Sequence, residues 1–245
     1  MKALFLTLVF AGGVVIAEEI PELQPVARMD ARTTDKTRDP GLYGDYWWAN
    51  RFLSRHRQVE DARGRAVDVV LIGDSITHFW EWLEPEKWAE FTARRTAINL
   101  GYGGDHVEQV IWRIEHGELD GYVAKNVVLM IGTNNDLLKA KTNIVKAIGK
   151  IVGMIRERQP SAKLILHPIF PRGRKFDWAN PHIAEINVML KRFAEEDGRV
   201  AWVDFNAKLV DKSGFVPETI MEDGLHPTAS GYGIWQAAIE PELVK

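Results

Sequence analysis

The chain has 245 residues, 46% of them hydrophobic, with 31 basic against 34 acidic side chains and a formal net charge of -3. That length suits one globular domain with a sizeable core, and the interspersed charges lack the concentrated basic surface that a nucleic-acid binder carries. Cysteine is absent, which excludes disulfides, thiol catalysis, cysteine-ligated metal and lipid attachment through cysteine.

Residues 1–17 read as a secretory signal peptide: Met1-Lys2, an apolar stretch from Ala3 to Ile16, and Val15-Ile16-Ala17 as a small-x-small cleavage pattern before Glu18-Glu19. An uncleaved anchor is the alternative, but a spanning helix needs ~20 apolar residues and this core is shorter. The expectation is an exported protein, periplasmic or secreted, with no stable membrane span in the mature chain. Residues 18–42 are polar and poor in apolar periodicity, a linker that wraps or dangles. The fold proper, 43–245, opens with an amphipathic segment carrying Tyr46, Trp47, Asn50, Phe52, Leu53 and His56, which ends before Gly64.

From residue 66 the pattern alternates. Apolar runs at 67–72, 96–100, 126–131, 163–170 and 200–205 have strand length and β-branched content. Between and after them, helical patterns are clearest at 107–116, 144–159, 183–197 and 232–243, and Ile144, Ala147, Ile148, Ile151, Val152 and Ile155 form one apolar stripe. Strands apolar throughout are covered on both faces, so the expected fold class is α/β: a three-layer sandwich around a five-stranded parallel sheet with right-handed crossovers. No internal repeat and no second domain are evident. In such sheets the ligand crevice lies at the carboxyl ends of the strands.

Four polar blocks fall on that edge or in a late loop. Gly73-Asp74-Ser75 ends the first run and delivers a hydroxyl at the start of a helix, where a backbone amide favours negative charge. Gly101-Tyr102-Gly103-Gly104-Asp105 follows the second run, and Gly132-Thr133-Asn134-Asn135 the third. Asp223-Gly224-Leu225-His226-Pro227 sets a carboxylate three residues before an imidazole. Ser, His and Asp are the groups that make a serine nucleophilic at neutral pH. Each block alone has a plainer reading, as a helix cap or a turn. Ser75 does not lie in G-x-S-x-G, so the nucleophile elbow of α/β-hydrolases is absent, and the glycine loop lacks the G-x-G-x-x-G spacing of a dinucleotide site.

Taken together, in this order, the four blocks resemble the GDSL, or SGNH, hydrolases. Ile76 stands where the family name has Leu. The stretches from Asn99 to Asp105 and from Val110 to Leu119, with 168–173 (PIFPRG), look like the branch of the platelet-activating-factor acetylhydrolase α-subunits and its secreted bacterial relatives. The resemblance spans about 66–240 and implies a flavodoxin-like SGNH fold. It implies Ser75 as nucleophile, His226 as general base and then acid, Asp223 as its orienting partner, and an oxyanion hole of the Ser75 N–H, the Gly104 N–H and the Asn134 side chain. It requires no metal or organic cofactor.

Aromatic residues expected near the rim are His78, Phe79, Trp80, Trp82, Tyr102 and Trp178. Tyr102 and Trp178, with Arg172, are candidate substrate contacts through ring stacking or anion binding. The expected activity is hydrolysis of short acyl esters, acetyl above all, on extracellular carbohydrate. A lipid-directed esterase and a non-catalytic glycan-binding module are the alternatives.

Overall fold

The computed structural model describes residues 8–10, 13–15, 26–28 and 47–244. Most of the expected signal peptide and linker therefore lies outside the described residues, as do Tyr43 and Tyr46. Within the first segment, β1 (Leu8–Phe10) pairs antiparallel with β2 (Gly13–Val15).

A strand that is apolar at every position has no face to offer water, and the five later runs satisfy this by lying side by side between helices. They are β3 (Ala66–Gly73), β4 (Ala97–Gly101), β5 (Val123–Met130), β6 (Lys163–Leu166) and β7 (Val200–Trp202). Their order is β4-β3-β5-β6-β7, and every pairing is parallel. Successive side chains point to opposite faces, and the two cores show it. Val70, Ile72, Val127, Leu129, Leu164 and Leu166 pack on one face under α4 (Val107–Glu115), α5 (Lys141–Arg158) and α6 (Asn180–Asp197). Val69, Leu71, Val128, Met130 and Ile165 pack on the other. That face is covered by α2 (Ser75–Trp82), α3 (Pro85–Thr92), α7 (Asn206–Leu209) and α8 (Ala229–Ile239). The expected stripe of α5 is buried throughout. The first helix, α1 (Trp47–Asp61), instead joins Trp47, Trp48 and Phe52 to Tyr102 in a small aromatic cluster at the strand ends.

Element ends depart from the sequence pattern for local reasons. The run at 163–170 stops pairing at Leu166 after one more ladder-like bond from the His167 N–H to Leu129, because Pro168 has no N–H to donate. The run at 200–205 ends at Trp202. Helix α8 starts three residues before Tyr232, where the Thr228 hydroxyl accepts from the Gly231 N–H, and it gives way at Glu240-Pro241 to a tighter turn. Helix α3 was not evident in the apolar pattern because it buries only Phe91 fully.

One register aligns the loops. Gly73 lies opposite Gly101 on one side and Met130 on the other, so three of the polar blocks leave the sheet at one level. Beneath them sits a buried ionic cluster. Arg113 Nε donates to Asp105 at 2.9 Å and Nη1 donates to Glu118, all three side chains being inaccessible to solvent. Trp48 Nε1 donates to the other Asp105 oxygen at 2.7 Å, and the Tyr102 hydroxyl donates to Glu118. Removing one partner of a buried ion pair strands the rest. Arg113→Met should therefore lower the free energy of unfolding in urea by about 3–5 kcal/mol. A loss under ~1 kcal/mol, the scale of an exposed pair, would contradict the account.

Candidate active site

Ser75 is the first residue of α2. Asp74 caps that helix, its Oδ1 accepting from the Ile76 N–H at 2.9 Å. The turn is compact because the helix rests directly on the strand ends: a Cβ on Gly101 would lie 2.3 Å from the His78 nitrogen, and one on Gly73 would lie 2.4 Å from the Met130 carbonyl oxygen. Only glycine admits this approach.

The Asp223 loop reaches the same place from the far end of the chain. Gly224 takes a left-handed conformation (φ 80°), and its carbonyl accepts from the Gly173 N–H at 2.8 Å. Asp223 Oδ1 accepts from the backbone N–H groups of Leu225 (2.8 Å) and His226 (2.7 Å), while Oδ2 accepts from His226 Nδ1 at 2.6 Å. An ionised carboxylate can only accept, so Nδ1 carries the proton and Nε2 is left as an acceptor. Nε2 lies 2.9 Å from Ser75 Oγ. The Phe79 ring packs on the imidazole with centroids 4.7 Å apart. Desolvation pushes the Asp223 carboxyl up, but the hydrogen bonds from the His226 ring and backbone outweigh it and hold the carboxyl well below its ordinary range. Ser75, His226 and Asp223 thus form one continuous hydrogen-bonded chain.

Two further blocks close around it. Gly104 has φ 72°. The Asn134 side-chain NH2 donates to the Asp105 carbonyl at 2.9 Å, which spends one of its two hydrogens and fixes the amide plane. Asn135 stitches the same loops together, accepting from the Val107 N–H at 3.1 Å and donating to Glu108 at 3.0 Å. The Tyr102 N–H donates to the Gly73 carbonyl at 3.1 Å, so the loops of Gly104 and Asn134 belong to one connected rim with the β3 turn.

Beside Asn134 opens a cleft of about 270 Å³, lined by Thr133, Asn134, Asn135, Asp136, Leu137, Leu138, Arg172, Trp178 and Leu225. Trp178 is 54% exposed. Arg172 Nη2 donates to the Thr133 carbonyl and, at 3.1 Å, to its hydroxyl. Two of the three candidate substrate contacts are thereby brought to the cleft. Tyr102 is not. Its ring is fully buried, covered by the Arg113 guanidinium 3.9 Å from the ring centre, and its hydroxyl is bound to Glu118, so it cannot stack on a substrate. His78 and Trp80 are likewise buried, and Phe79 is buried against the His226 ring instead of open to substrate. Leu137 and Leu138 were missed as cleft residues, although an apolar pair just past Asp136, which follows the polar Gly132 block, was the available sign.

A family model of GDSL-like lipases and acylhydrolases matches residues 71–234. The chain belongs to that family. It is a carboxylic ester hydrolase of GDSL type. Among its relatives, platelet-activating factor acetylhydrolase IB subunit alpha2 of Homo sapiens is 34% identical over 184 residues, covering 75% of this chain and 79% of the relative. A GDSL-like lipase of Bacteroides thetaiotaomicron superposes with a TM-score of 0.63 at 19% identity, over 78% of this chain and 96% of that one. A variant of an acetyl-xylooligosaccharide esterase of Geobacillus Stearmophilus gives 0.54 at 20% identity, over 74% and 94%. At these identities the two structures speak for the shared α/β fold.

The buried Asp74 carries a testable consequence. Desolvation pushes its carboxyl up to about 7 against the hydrogen bond from Ile76, with Asp105 adding to the rise and Arg172 opposing it. Its Oδ2 has no hydrogen-bond partner. Between the ordinary value of 3.8 and about 7, the folded chain keeps a proton that the unfolded chain releases. Stability contributed by this group therefore falls as pH rises through that window. Asp74→Asn does not titrate, so its stability relative to the parent should increase from about pH 4.5 to about pH 8 in urea unfolding. A pH-independent difference would contradict the assignment.

Proposed function

We propose that this protein is a serine esterase that removes short acyl groups, acetyl above all, from extracellular carbohydrate through an acyl-enzyme. The unbroken chain from Asp223 through His226 to Ser75 carries the reading. Ser75 Oγ attacks the ester carbonyl while His226 Nε2 takes its proton, and Asp223 stabilises the imidazolium. The carbonyl oxygen, now negative, receives hydrogen bonds from the Ser75 and Gly104 N–H groups and from the second hydrogen of the Asn134 amide. Collapse expels the alcohol, protonated by His226. Water then gives its proton to His226 and attacks the acyl-enzyme, releasing the acid and restoring Ser75.

Several observations support the substrate class. The exposed Trp178 and the Arg172 that lines the same cleft beside Asn134 suit a sugar ring with polar substituents. The human relative is an acetylhydrolase of platelet-activating factor and the Geobacillus enzyme an esterase of acetyl-xylooligosaccharide, so the two share the acetyl group. The second reading is an acetyl ester of a lipid alcohol, which the 34% identity to the acetylhydrolase subunit favours. The proposal takes 43–245 as the catalytic domain and, on the strength of Met1 to Ala17, places its action after export.

Ser75→Ala should abolish turnover with no loss of thermal stability, since a single oxygen leaves a turn. Asn134→Ala should keep turnover but lose roughly 10²–10³-fold in kcat. Rates near the parent's would remove Asn134 from the oxyanion hole. Aryl acetate, butyrate, octanoate and palmitate should give kcat/KM falling with chain length, each misfitting methylene costing about 1–3 kcal/mol. A maximum at octanoate or beyond overturns the short-acyl claim. Acetylated xylo-oligosaccharides against acetylated ether lipids then decide the alcohol: preference for the lipid overturns the carbohydrate assignment.

A further inference from the structure

Among the described residues of the segment read from sequence as a connector, Ala27 and Arg28 meet the glycine loop. Ala27 packs against the cluster of Trp47, Trp48, Phe52 and Tyr102. From that seat Arg28 Nη1 donates to the Gly103 carbonyl at 3.3 Å. The guanidinium fits closely: a Cβ on Gly104 would lie 2.6 Å from Nη1.

A trans peptide points its C=O and its N–H to opposite sides. Gripping the Gly103 carbonyl therefore fixes the direction of the Gly104 N–H in the same peptide unit. The constraint matters because two consecutive glycines impose little steric restraint on that unit. A flipped peptide would turn the N–H away and aim a carbonyl oxygen at the developing negative charge. The preceding peptide is held from within, the Gly103 N–H donating to His78 Nδ1 at 3.3 Å. Desolvation, reinforced by Arg51 and Arg55, keeps the His78 ring pushed toward its neutral form, so Nδ1 remains an acceptor. Arg28 holds the peptide that follows. Its positive charge also polarises the Gly103 carbonyl and so strengthens the N–H on the other side.

We propose that Arg28 is a positioning residue for oxyanion stabilisation. The proposal rests on the reading of the Gly104 N–H as an oxyanion donor. Its test compares the parent, Arg28→Ala and Arg28→Lys on aryl acetate, with Ser75→Ala as the blank and thermal unfolding of each protein recorded. Arg28→Ala should lose roughly ten- to a hundredfold in kcat with KM within about twofold and an unchanged unfolding temperature. Arg28→Lys should recover part of the loss, and guanidinium ion at non-denaturing concentration should restore part of kcat in Arg28→Ala but not raise the parent's. An active parent with Arg28→Ala at the same kcat overturns the proposal alone. So does a loss that tracks a lowered unfolding temperature and is not restored by guanidinium. A parent no faster than the Ser75→Ala blank overturns the esterase reading and this one with it.

Discussion

The site depends on a buried guanidinium. Arg113, on α4, holds Asp105 in the glycine loop and Glu118 beyond its own helix, and its Nη2 reaches the Gly73 carbonyl at 3.4 Å. One side chain thus ties the strand that ends in the Gly73 turn to the loop that carries Gly104. Burying a charge is costly unless it is paired and its donors are used. Arg113 meets that condition with two carboxylates, and desolvation still pushes Asp105 up to about 6 against the pull of Arg113 and Trp48. The cluster stabilises little by itself. Its consequence is connection: Asp105, Glu118 and the Gly73 carbonyl all meet one guanidinium.

A second constraint acts from above. Helix α2 sits on the carboxyl ends of β3 and β4 at distances only glycine allows, at Gly73 and Gly101. That contact lifts Ser75 to the rim while its neighbours Ile76 and Trp80 turn into the core. The Tyr232 hydroxyl on α8 donates to the Ile76 carbonyl at 2.7 Å and links the nucleophile's helix to the helix that follows the His226 loop. The approach of Ser75 to His226 across 151 positions of sequence is therefore held by packing as well as by its own hydrogen bond.

What could be read from sequence divides along physical lines. Strand periodicity and the doubly apolar runs gave the sheet, because burial on both faces leaves a one-dimensional trace. Ser75, Gly104, Asn134 and His226 were legible because each lies in a polar break next to an apolar element, and the structure brings these breaks to one rim. Tyr102 was misplaced because its direction is set by Glu118 and Arg113, which are buried partners no local pattern marks as such. The strand end at Leu166 follows from Pro168 and could have been drawn from sequence alone. Arg28 could not, since its seat is made by aromatic side chains from α1 and from the β4 loop.

The central claim is that Ser75 is the nucleophile of an acyl-enzyme. Titration of the parent with a diethyl aryl phosphate, followed by peptide mass mapping, tests it most directly. The account predicts a single diethylphosphoryl group on Ser75, activity lost in step with labelling, and no label on Ser75→Ala. Complete inactivation with the label on another residue, or labelling of Ser75 with activity retained, would contradict it.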